Sequence, residues 1–230
     1  DGAIVDYNNN LVAACFTRDL FTYDWVDKAM DDRFDALGAA LGTPRNVYPY
    51  DVSSDLKQMV LKTTAPTDPG AFHYYDFDRK ALKRIGDQRP WLTSDRLAPV
   101  SVLNVRSRDG VDLPAYLTTP LAAGPRPLVV MPHGGPELRD SLDWDFFAQA
   151  LAAQGWLVLQ PNFRGSGGYG QAFAQQGWTR WGDRMQDDVE DAVAHAIAAK
   201  GLDASKVAIM GTSYGAYAAL MGAVKRPDLY

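Results

Sequence analysis

Apolar residues in the first part of the chain occur in short, strand-sized runs, and polar or turn-forming residues separate them. Runs of this length, bounded by pieces rich in Gly, Pro and Asp such as 67–70 and 76–80, predict antiparallel β-structure. The clearest runs are Leu11–Phe16, Phe21–Val26, Gln58–Lys62 and Phe72–Phe77. The segment Asp31–Leu41 differs, because its apolar residues recur at helical spacing after an acidic start, and it predicts a short helix. The meander rhythm is typical of propeller blades, although fewer than two four-stranded blades fit here.

After Pro99 the pattern changes to alternating strands and helices. Val100–Val105 and Leu113–Leu117 predict a hairpin, and three wholly apolar runs predict strands that are buried on both faces of a sheet. These runs are Leu128–Met131, Trp156–Gln160 and Val207–Met210, with helices predicted at 142–154 and 186–200 and a helix stop at Gly201. Strand and helix in alternation favour a mostly parallel α/β sheet. We therefore predict two domains: an incomplete all-β portion at 1–95 and an α/β portion at 96–230.

Composition and charge narrow the function classes. Of 230 residues, 47% are hydrophobic and 22% are charged, and the net charge is −5. No Lys/Arg run of the kind that follows a phosphate backbone occurs, so nucleic acid is not an expected partner. No apolar run has the roughly 18–20 residues of a membrane span, so no membrane is expected either. The single Cys15 excludes an intrachain disulfide within these residues, and the compartment stays open.

The motif Gly211-Thr212-Ser213-Tyr214-Gly215 carries the strongest chemical signal. It follows the predicted strand that ends at Met210 and precedes a small-residue helical stretch. In that context the serine lies on a sharp strand-to-helix turn, where the flanking glycines allow close backbone passage and leave the hydroxyl exposed. The following helix directs backbone N–H groups toward the position where an oxyanion forms. Ser213 is therefore the predicted nucleophile of a serine hydrolase.

Two glycine-rich segments follow the preceding strands. In His133-Gly134-Gly135-Pro136 the paired glycines let a backbone N–H approach an oxyanion, although a Gly-Pro turn is the simpler interpretation of the segment alone. The second segment, 162–170, contains G-x-G-x-x-G at 165, 167 and 170. A dinucleotide site is disfavoured there, because no long helix is predicted to begin at the loop. We predict a tight loop beside the active site, in which Arg164 forms a buried ion pair or contacts substrate.

Together these motifs resemble those of the prolyl oligopeptidase family, and in particular its acylaminoacyl-peptidase-like branch. The resembling segments are 107–117, 133–136, 162–170 and 211–217, so the resemblance covers about residues 100–230. It implies an N-terminal β-propeller that precedes an α/β-hydrolase domain, and hydrolysis of short peptides without a metal or organic cofactor. His133 stands where other branches carry an oxyanion-stabilising tyrosine. Ala216 departs from the family, which commonly has a second glycine there.

The resemblance implies a role for individual residues. Ser213 is the nucleophile, and the N–H groups of Tyr214 and Gly135 form the oxyanion hole. The motif glycines are Gly134, Gly211 and Gly215, and Arg164 and Tyr169 are candidates for contact with the substrate. Aromatic side chains at Tyr169, Trp178, Trp181 and Tyr214 are of the kind that lines substrate pockets, although buried aromatic residues near a sheet more often belong to the core. Among these four we favour only Tyr214 as a pocket residue.

The remaining members of a catalytic triad are not predicted within this chain. In this fold the acid and then the base follow the serine, and the 17 residues after Ser213 include Asp228 but no histidine. His73 lies in the β portion, His133 precedes the nucleophile, and His195 lies beside the apolar stripe of its helix. We therefore expect the intact protein to hold its acid and base elsewhere, and residues 1–230 alone to lack turnover.

Three functions remain open from the sequence. A serine peptidase with a peptide substrate is favoured, because a β-rich portion precedes the hydrolase motifs. A carboxylic ester hydrolase is the first alternative, since the same oxyanion hole serves esters. A non-catalytic propeller-bearing binding protein is the second. Substrate preference, exopeptidase or endopeptidase action, and the oligomeric state, with a homo-oligomer among the alternatives, are not predicted.

Overall fold

Two compact units make up the part of the chain that the computed structural model describes, which comprises residues 2–5, 8–124, 126–200 and 206–230. The first unit is Asp1–Leu97 together with Ser141–Asp145. The second unit is Ala98–Asp140 together with Phe146–Tyr230.

Antiparallel sheets form the first unit, as the short apolar runs predicted. One sheet has three strands in the order β1-β2-β3, and the other has four strands in the order β4-β5-β6-β7. The strands are β1 Gly2–Val5, β2 Leu11–Thr17, β3 Phe21–Trp25, β4 Asn46–Val52, β5 Gln58–Ala65, β6 Asp68–Asp76 and β7 Ala81–Asp87. Side chains of the second sheet and of helix α1 enclose a small core that includes Leu37, Leu61 and Tyr75.

The predicted helix of this unit is confirmed, but it begins earlier than predicted. Helix α1 covers Lys28–Leu41, and the Asp27 carboxylate accepts a hydrogen bond from the Ala29 N–H at 2.7 Å. This N-cap satisfies a backbone donor that the helix itself leaves unpaired, which explains the early start. The turn predicted at 67–70 is shorter than expected, because Ala65 pairs with Asp68 and the chain reverses over the two residues between them.

The segment Ser141–Asp145 pairs with strands and loops of the first unit. The Leu142 N–H donates to the Asp19 carbonyl at 2.8 Å, and the Leu142 carbonyl accepts from Asn46 Nδ2 at 2.9 Å. Tyr48 donates to the Asp143 carboxylate at 3.0 Å. Because these backbone groups are engaged outside a helix, helix α2 covers only Phe146–Ala153. The prediction of a helix from 142 was therefore wrong by four residues.

A five-stranded sheet in the order β12-β10-β11-β9-β8 forms the second unit. Its strands are β8 Val100–Arg106, β9 Asp112–Thr118, β10 Leu128–Val130, β11 Leu157–Pro161 and β12 Val207–Ile209. Strand β10 is parallel to β11 and β12, whereas β9 is antiparallel to β8 and β11. The described sheet is thus mixed rather than mostly parallel. Strands β10 and β11 are buried throughout, but β12 is at the sheet edge and is partly exposed.

Helices cover this sheet and complete its core. Helix α3 is Gln171–Gln175, α4 is Arg184–Lys200 and α5 is Tyr214–Lys225. The predicted apolar stripe of α4 is confirmed, because Val189, Val193 and Ala196 are buried against the sheet. The five-residue α3 directly follows the glycine-rich loop, where no helix was predicted. The predicted helix stop at Gly201 lies outside the described residues.

Candidate active site

Ser213 lies at the sharp turn between β12 and α5. Its backbone has φ 57° and ψ −122°, a left-handed conformation that a non-glycine residue adopts at a cost on the order of 1–3 kcal/mol. The residue is exposed, whereas Tyr214 and Gly215 immediately after it are buried. A strained, exposed serine at the start of a helix is the geometry that the sequence motif predicted.

The motif glycines allow backbone segments to approach closely around this serine. A Cβ at Gly211 would lie 2.5 Å from the carbonyl carbon of Gly215, and one at Gly215 would collide with the Pro132 carbonyl oxygen. A Cβ at Gly134 would lie 3.5 Å from Cβ of Ser213. The glycine pair after β10 therefore lies directly against the serine turn, although about 80 residues separate them.

Both predicted oxyanion donors have a free backbone N–H. Among the described residues no acceptor pairs with the N–H of Tyr214, the first residue of α5, or with that of Gly135. Gly135 has φ 116°, and a Cβ there would lie 2.5 Å from the backbone nitrogens of Glu137 and Leu138. Only glycine fits this position without strain. Two unpaired N–H groups beside an exposed serine can stabilise an oxyanion.

His133 fastens the loop that carries Gly135. Its Nδ1 lies 2.8 Å from the Gly134 carbonyl, its Nε2 lies 2.8 Å from Ser166 Oγ, and its ring stacks on Phe163 at 4.4 Å. A carbonyl oxygen only accepts, so Nδ1 carries the proton of the neutral ring and Nε2 accepts from the Ser166 hydroxyl. That hydroxyl is also 2.7 Å from the Phe163 carbonyl, so two acceptors share its proton. Burial lowers the pKa of His133 to about 4, which keeps the ring neutral at pH 7.

The histidines of the described chain do not reach the nucleophile. His133 is engaged with Gly134 and Ser166, and His73 Nε2 lies 3.1 Å from Thr63 Oγ1 in the other unit. His195 lies on α4. Within the described ranges, no histidine hydrogen-bonds to the Ser213 hydroxyl. The serine and the two oxyanion donors are thus in place, and a general base is not part of this constellation.

Arg164 forms a buried ion pair, which is one of its two predicted roles. Its guanidinium donates to both carboxylate oxygens of Asp188 at 2.7 and 2.6 Å, and to both of Asp109 at 2.9 and 2.7 Å. The Arg164 N–H also donates to Asp188 at 2.9 Å. The pKa of Asp109 is lowered, mainly by the hydrogen bonds from Arg164. Burial raises the pKa of Asp188, and the hydrogen bonds from Arg164 oppose that shift. Neither acid was predicted as a partner from the sequence, because Asp188 is 24 residues and Asp109 is 55 residues away from the arginine.

Tyr169 belongs to a polar network that joins the glycine-rich segment 162–170 to Arg139. Its hydroxyl accepts from Arg139 Nη2 at 2.7 Å and from Asn162 Nδ2 at 2.8 Å, and the Arg139 guanidinium lies 4.0 Å from the centre of its ring. The side chain is half-buried. Contact with substrate, which the sequence predicted for Tyr169, remains a proposal.

Exposure of the aromatic side chains differs from the expectation that Tyr214 lines a pocket. Tyr214 is 5% exposed and packs against Phe163 and Trp181 at 5.3 and 5.0 Å, so it is part of the core, and burial raises its pKa. Trp178 and Trp181 are instead 58% and 54% exposed. Both tryptophans line a cavity of about 250 Å³ that also includes Pro136.

The described residues offer neither a cluster of metal ligands nor a membrane-spanning helix. They contain no group of three or more His, Cys, Asp or Glu side chains placed to hold a metal ion. No helix within them has the length and apolar composition required to cross a membrane.

Comparison with known families and proteins gives consistent matches. Residues 142–230 match the prolyl oligopeptidase family. The chain is 36% identical over 209 residues to dipeptidyl aminopeptidase BIII of Pseudoxanthomonas mexicana, covering 85% of this chain and 30% of that protein. It is 35% identical over 124 residues to the human acylamino-acid-releasing enzyme, covering 53% of this chain and 17% of that enzyme. The chain therefore spans less than a third of the length of these relatives.

Solved structures share the fold. A puromycin-hydrolysing peptidase of Mycobacterium tuberculosis superposes with a TM-score of 0.73 at 22% identity, covering 95% of this chain and 34% of that one. An acylaminoacyl peptidase of Pyrococcus horikoshii gives a TM-score of 0.70 at 20% identity, covering 82% of this chain and 30% of that one. At these identities the likeness concerns the fold alone.

Proposed function

We propose that the intact protein is a serine peptidase that hydrolyses short peptides, on the premise that residues 142–230 match the prolyl oligopeptidase family. The observation that carries the proposal is the strained, exposed Ser213 beside the unpaired N–H groups of Tyr214 and Gly135. We assign the second unit to the α/β-hydrolase domain and the antiparallel first unit to the last strands of a β-propeller.

The reaction follows from this geometry. Oγ of Ser213 attacks the carbonyl carbon of the scissile bond, and its proton passes to a general base that a segment outside the described constellation supplies. The carbonyl oxygen becomes an oxyanion and accepts hydrogen bonds from the N–H groups of Tyr214 and Gly135. The base then gives its proton to the leaving amine as the C–N bond breaks. Water hydrolyses the resulting acyl-enzyme by the same steps, which frees the serine.

Oxyanion stabilisation here depends on how rigidly the donors are held. Loss of one such donor costs on the order of 10²–10³ in kcat in serine peptidases. Tyr214 is held by its buried ring, and Gly135 is held by a loop that His133 fastens through Gly134.

Covalent labelling tests the nucleophile directly. The intact protein, Ser213→Ala and Ser101→Ala are treated with a fluorophosphonate probe; Ser101 is an exposed serine on β8 and serves as the control. Labelling of the wild type and of Ser101→Ala, together with no labelling of Ser213→Ala, is expected. Equal labelling of all three proteins would overturn the assignment.

Matched substrates distinguish a peptidase from an ester hydrolase. A blocked peptide amide and the ester with the same acyl group are compared by kcat/KM in the intact protein. Cleavage of the amide that is lost in Ser213→Ala supports the peptidase. Cleavage of the ester alone would favour the alternative hydrolase chemistry, and labelling without cleavage of either would contradict both.

A further inference from the structure

A cavity of about 250 Å³ opens beside the oxyanion loop. Trp178 and Trp181 form its apolar walls, and Pro136 and Glu137 contribute the residues that follow Gly135. Its floor is backbone, because a Cβ at Gly177 would lie 2.5 Å from Cα of Gly165. The two tryptophans are more than half exposed, although large apolar side chains usually bury most of their surface.

Glu137 is the charged group of this cavity. Its Oε1 accepts a hydrogen bond from Trp178 Nε1 at 3.1 Å, which fixes the carboxylate next to the indole. Glu137 forms no ion pair with a lysine or arginine in the described part of the chain. The cavity therefore combines one uncompensated negative charge with two aromatic faces.

The position of the cavity connects it to the reaction. Pro136 lines the cavity and directly follows Gly135, so the cavity adjoins the loop that carries one oxyanion N–H group. Trp181, which also lines the cavity, packs its ring against the buried ring of Tyr214 at 5.0 Å. A peptide whose carbonyl is held by these N–H groups places the side chains on either side of the scissile bond within a few ångströms of the carbonyl. One of them can enter the cavity.

We propose that this cavity, formed by Glu137, Trp178 and Trp181, is a subsite for a basic side chain, preferably arginine, next to the scissile bond. The proposal rests on the peptidase function proposed above and adds a substrate class to it. A planar guanidinium stacks on an indole face while it donates to a carboxylate, whereas a neutral side chain of the same shape makes only the apolar part of this contact. Because the site is partly exposed, salt should weaken the preference.

Equilibrium binding separates this subsite from catalysis. Alanine hexapeptides with blocked termini carry one arginine or one citrulline, the neutral isostere, at each position in turn. Their affinities for the intact Ser213→Ala protein are measured by calorimetry. At the peptide position that gives the highest affinity, the arginine peptide should bind about tenfold more tightly than the citrulline peptide, because an ion pair and a cation–π contact act together.

Glu137→Gln tests the charge without removing the acceptor for the Trp178 N–H. In this variant the arginine-to-citrulline ratio should fall to about two, while citrulline affinity stays unchanged. The control is Asp112→Asn, which removes the same charge from an exposed position on β9 and should keep the full ratio. A ratio near one in the parent protein, or a ratio unchanged in Glu137→Gln, would overturn the subsite.

The two proposals fail in different ways. An arginine-to-citrulline ratio near one, in a protein that fluorophosphonate labels normally at Ser213, contradicts the subsite alone. An arginine preference that depends on Glu137, in a protein whose Ser213 is neither labelled nor required for cleavage, contradicts the peptidase alone.

Discussion

The side chain of Asn162 holds both backbone groups of Asp140. Its Oδ1 accepts from the Asp140 N–H at 2.8 Å, and its Nδ2 donates to the Asp140 carbonyl at 3.1 Å and to the Tyr169 hydroxyl at 2.8 Å. The Gly167 N–H donates to the Leu138 carbonyl at 3.0 Å in the same region. The glycine-rich loop after β11 thus holds the far end of the segment that carries Gly135.

Asn162→Ala should lower kcat for peptide hydrolysis about tenfold with little change in KM. Three hydrogen bonds of about 1 kcal/mol each are lost, and the freed segment places the Gly135 N–H less accurately in the transition state. Steady-state kinetics on the intact protein measure the effect. Asn104→Ala, an exposed asparagine on β8, is the matched control. An unchanged kcat in Asn162→Ala would show that the loop keeps its place without this side chain.

The serine turn could be predicted from the sequence because its determinants are local. A strand, a serine between two glycines and a helix follow one another within about 20 residues, and each requirement is steric. The sequence predicted that Arg164 could form a buried ion pair but not which acids would be its partners, since Asp109 and Asp188 come from distant segments. Periodicity identified the helix that carries Asp188 but not which loop its buried face meets.

The exposure of the aromatic side chains could not be predicted from the sequence pattern. Tyr214 is the first residue of α5, and its ring turns into the core, whereas Trp178 and Trp181 lie in an irregular segment without a periodic face. The start of α2 was mispredicted for a related reason. Most of Ser141–Asp145 was included in the predicted helix at 142–154, but the backbone of Leu142 is engaged by long-range hydrogen bonds that no local pattern contains.

His133 should make stability depend on pH. Burial lowers its pKa to about 4 in the folded protein, against about 6.5 when unfolded. Between these values the unfolded state binds the additional proton, so the free energy of unfolding decreases as the pH falls from 6.5 to 4 and is undiminished above 6.5. The contribution is on the order of 2–3 kcal/mol. Urea unfolding at pH 7 and pH 4.5 should show a smaller difference in His133→Gln than in the parent protein, and the same difference in His195→Gln.

Arg164→Met should destabilise the second unit strongly. Asp188 is fully buried, and removal of its partner leaves a carboxylate that must stay desolvated without a cation or take up a proton, at a cost of about 3–5 kcal/mol. Arg108→Met is the control, because Arg108 is about half exposed in its ion pairs and such pairs contribute about 1 kcal/mol or less. Thermal unfolding compares the two. Equal losses of stability would mean that burial of the Asp188 carboxylate carries no special penalty.

Gly215→Ala and Gly38→Ala should change stability in opposite directions. A methyl group at Gly215 collides with the Pro132 carbonyl oxygen, so either α5 or the loop after β10 must move, and both hold parts of the site. We expect a loss of several kcal/mol and no fluorophosphonate labelling at Ser213. Gly38 lies inside α1, where an added Cβ would meet no atom within 4 Å, and alanine there should stabilise the protein by about 0.5–1 kcal/mol. Chemical unfolding and labelling of both variants test this, and normal labelling of Gly215→Ala would contradict the close packing at the serine turn.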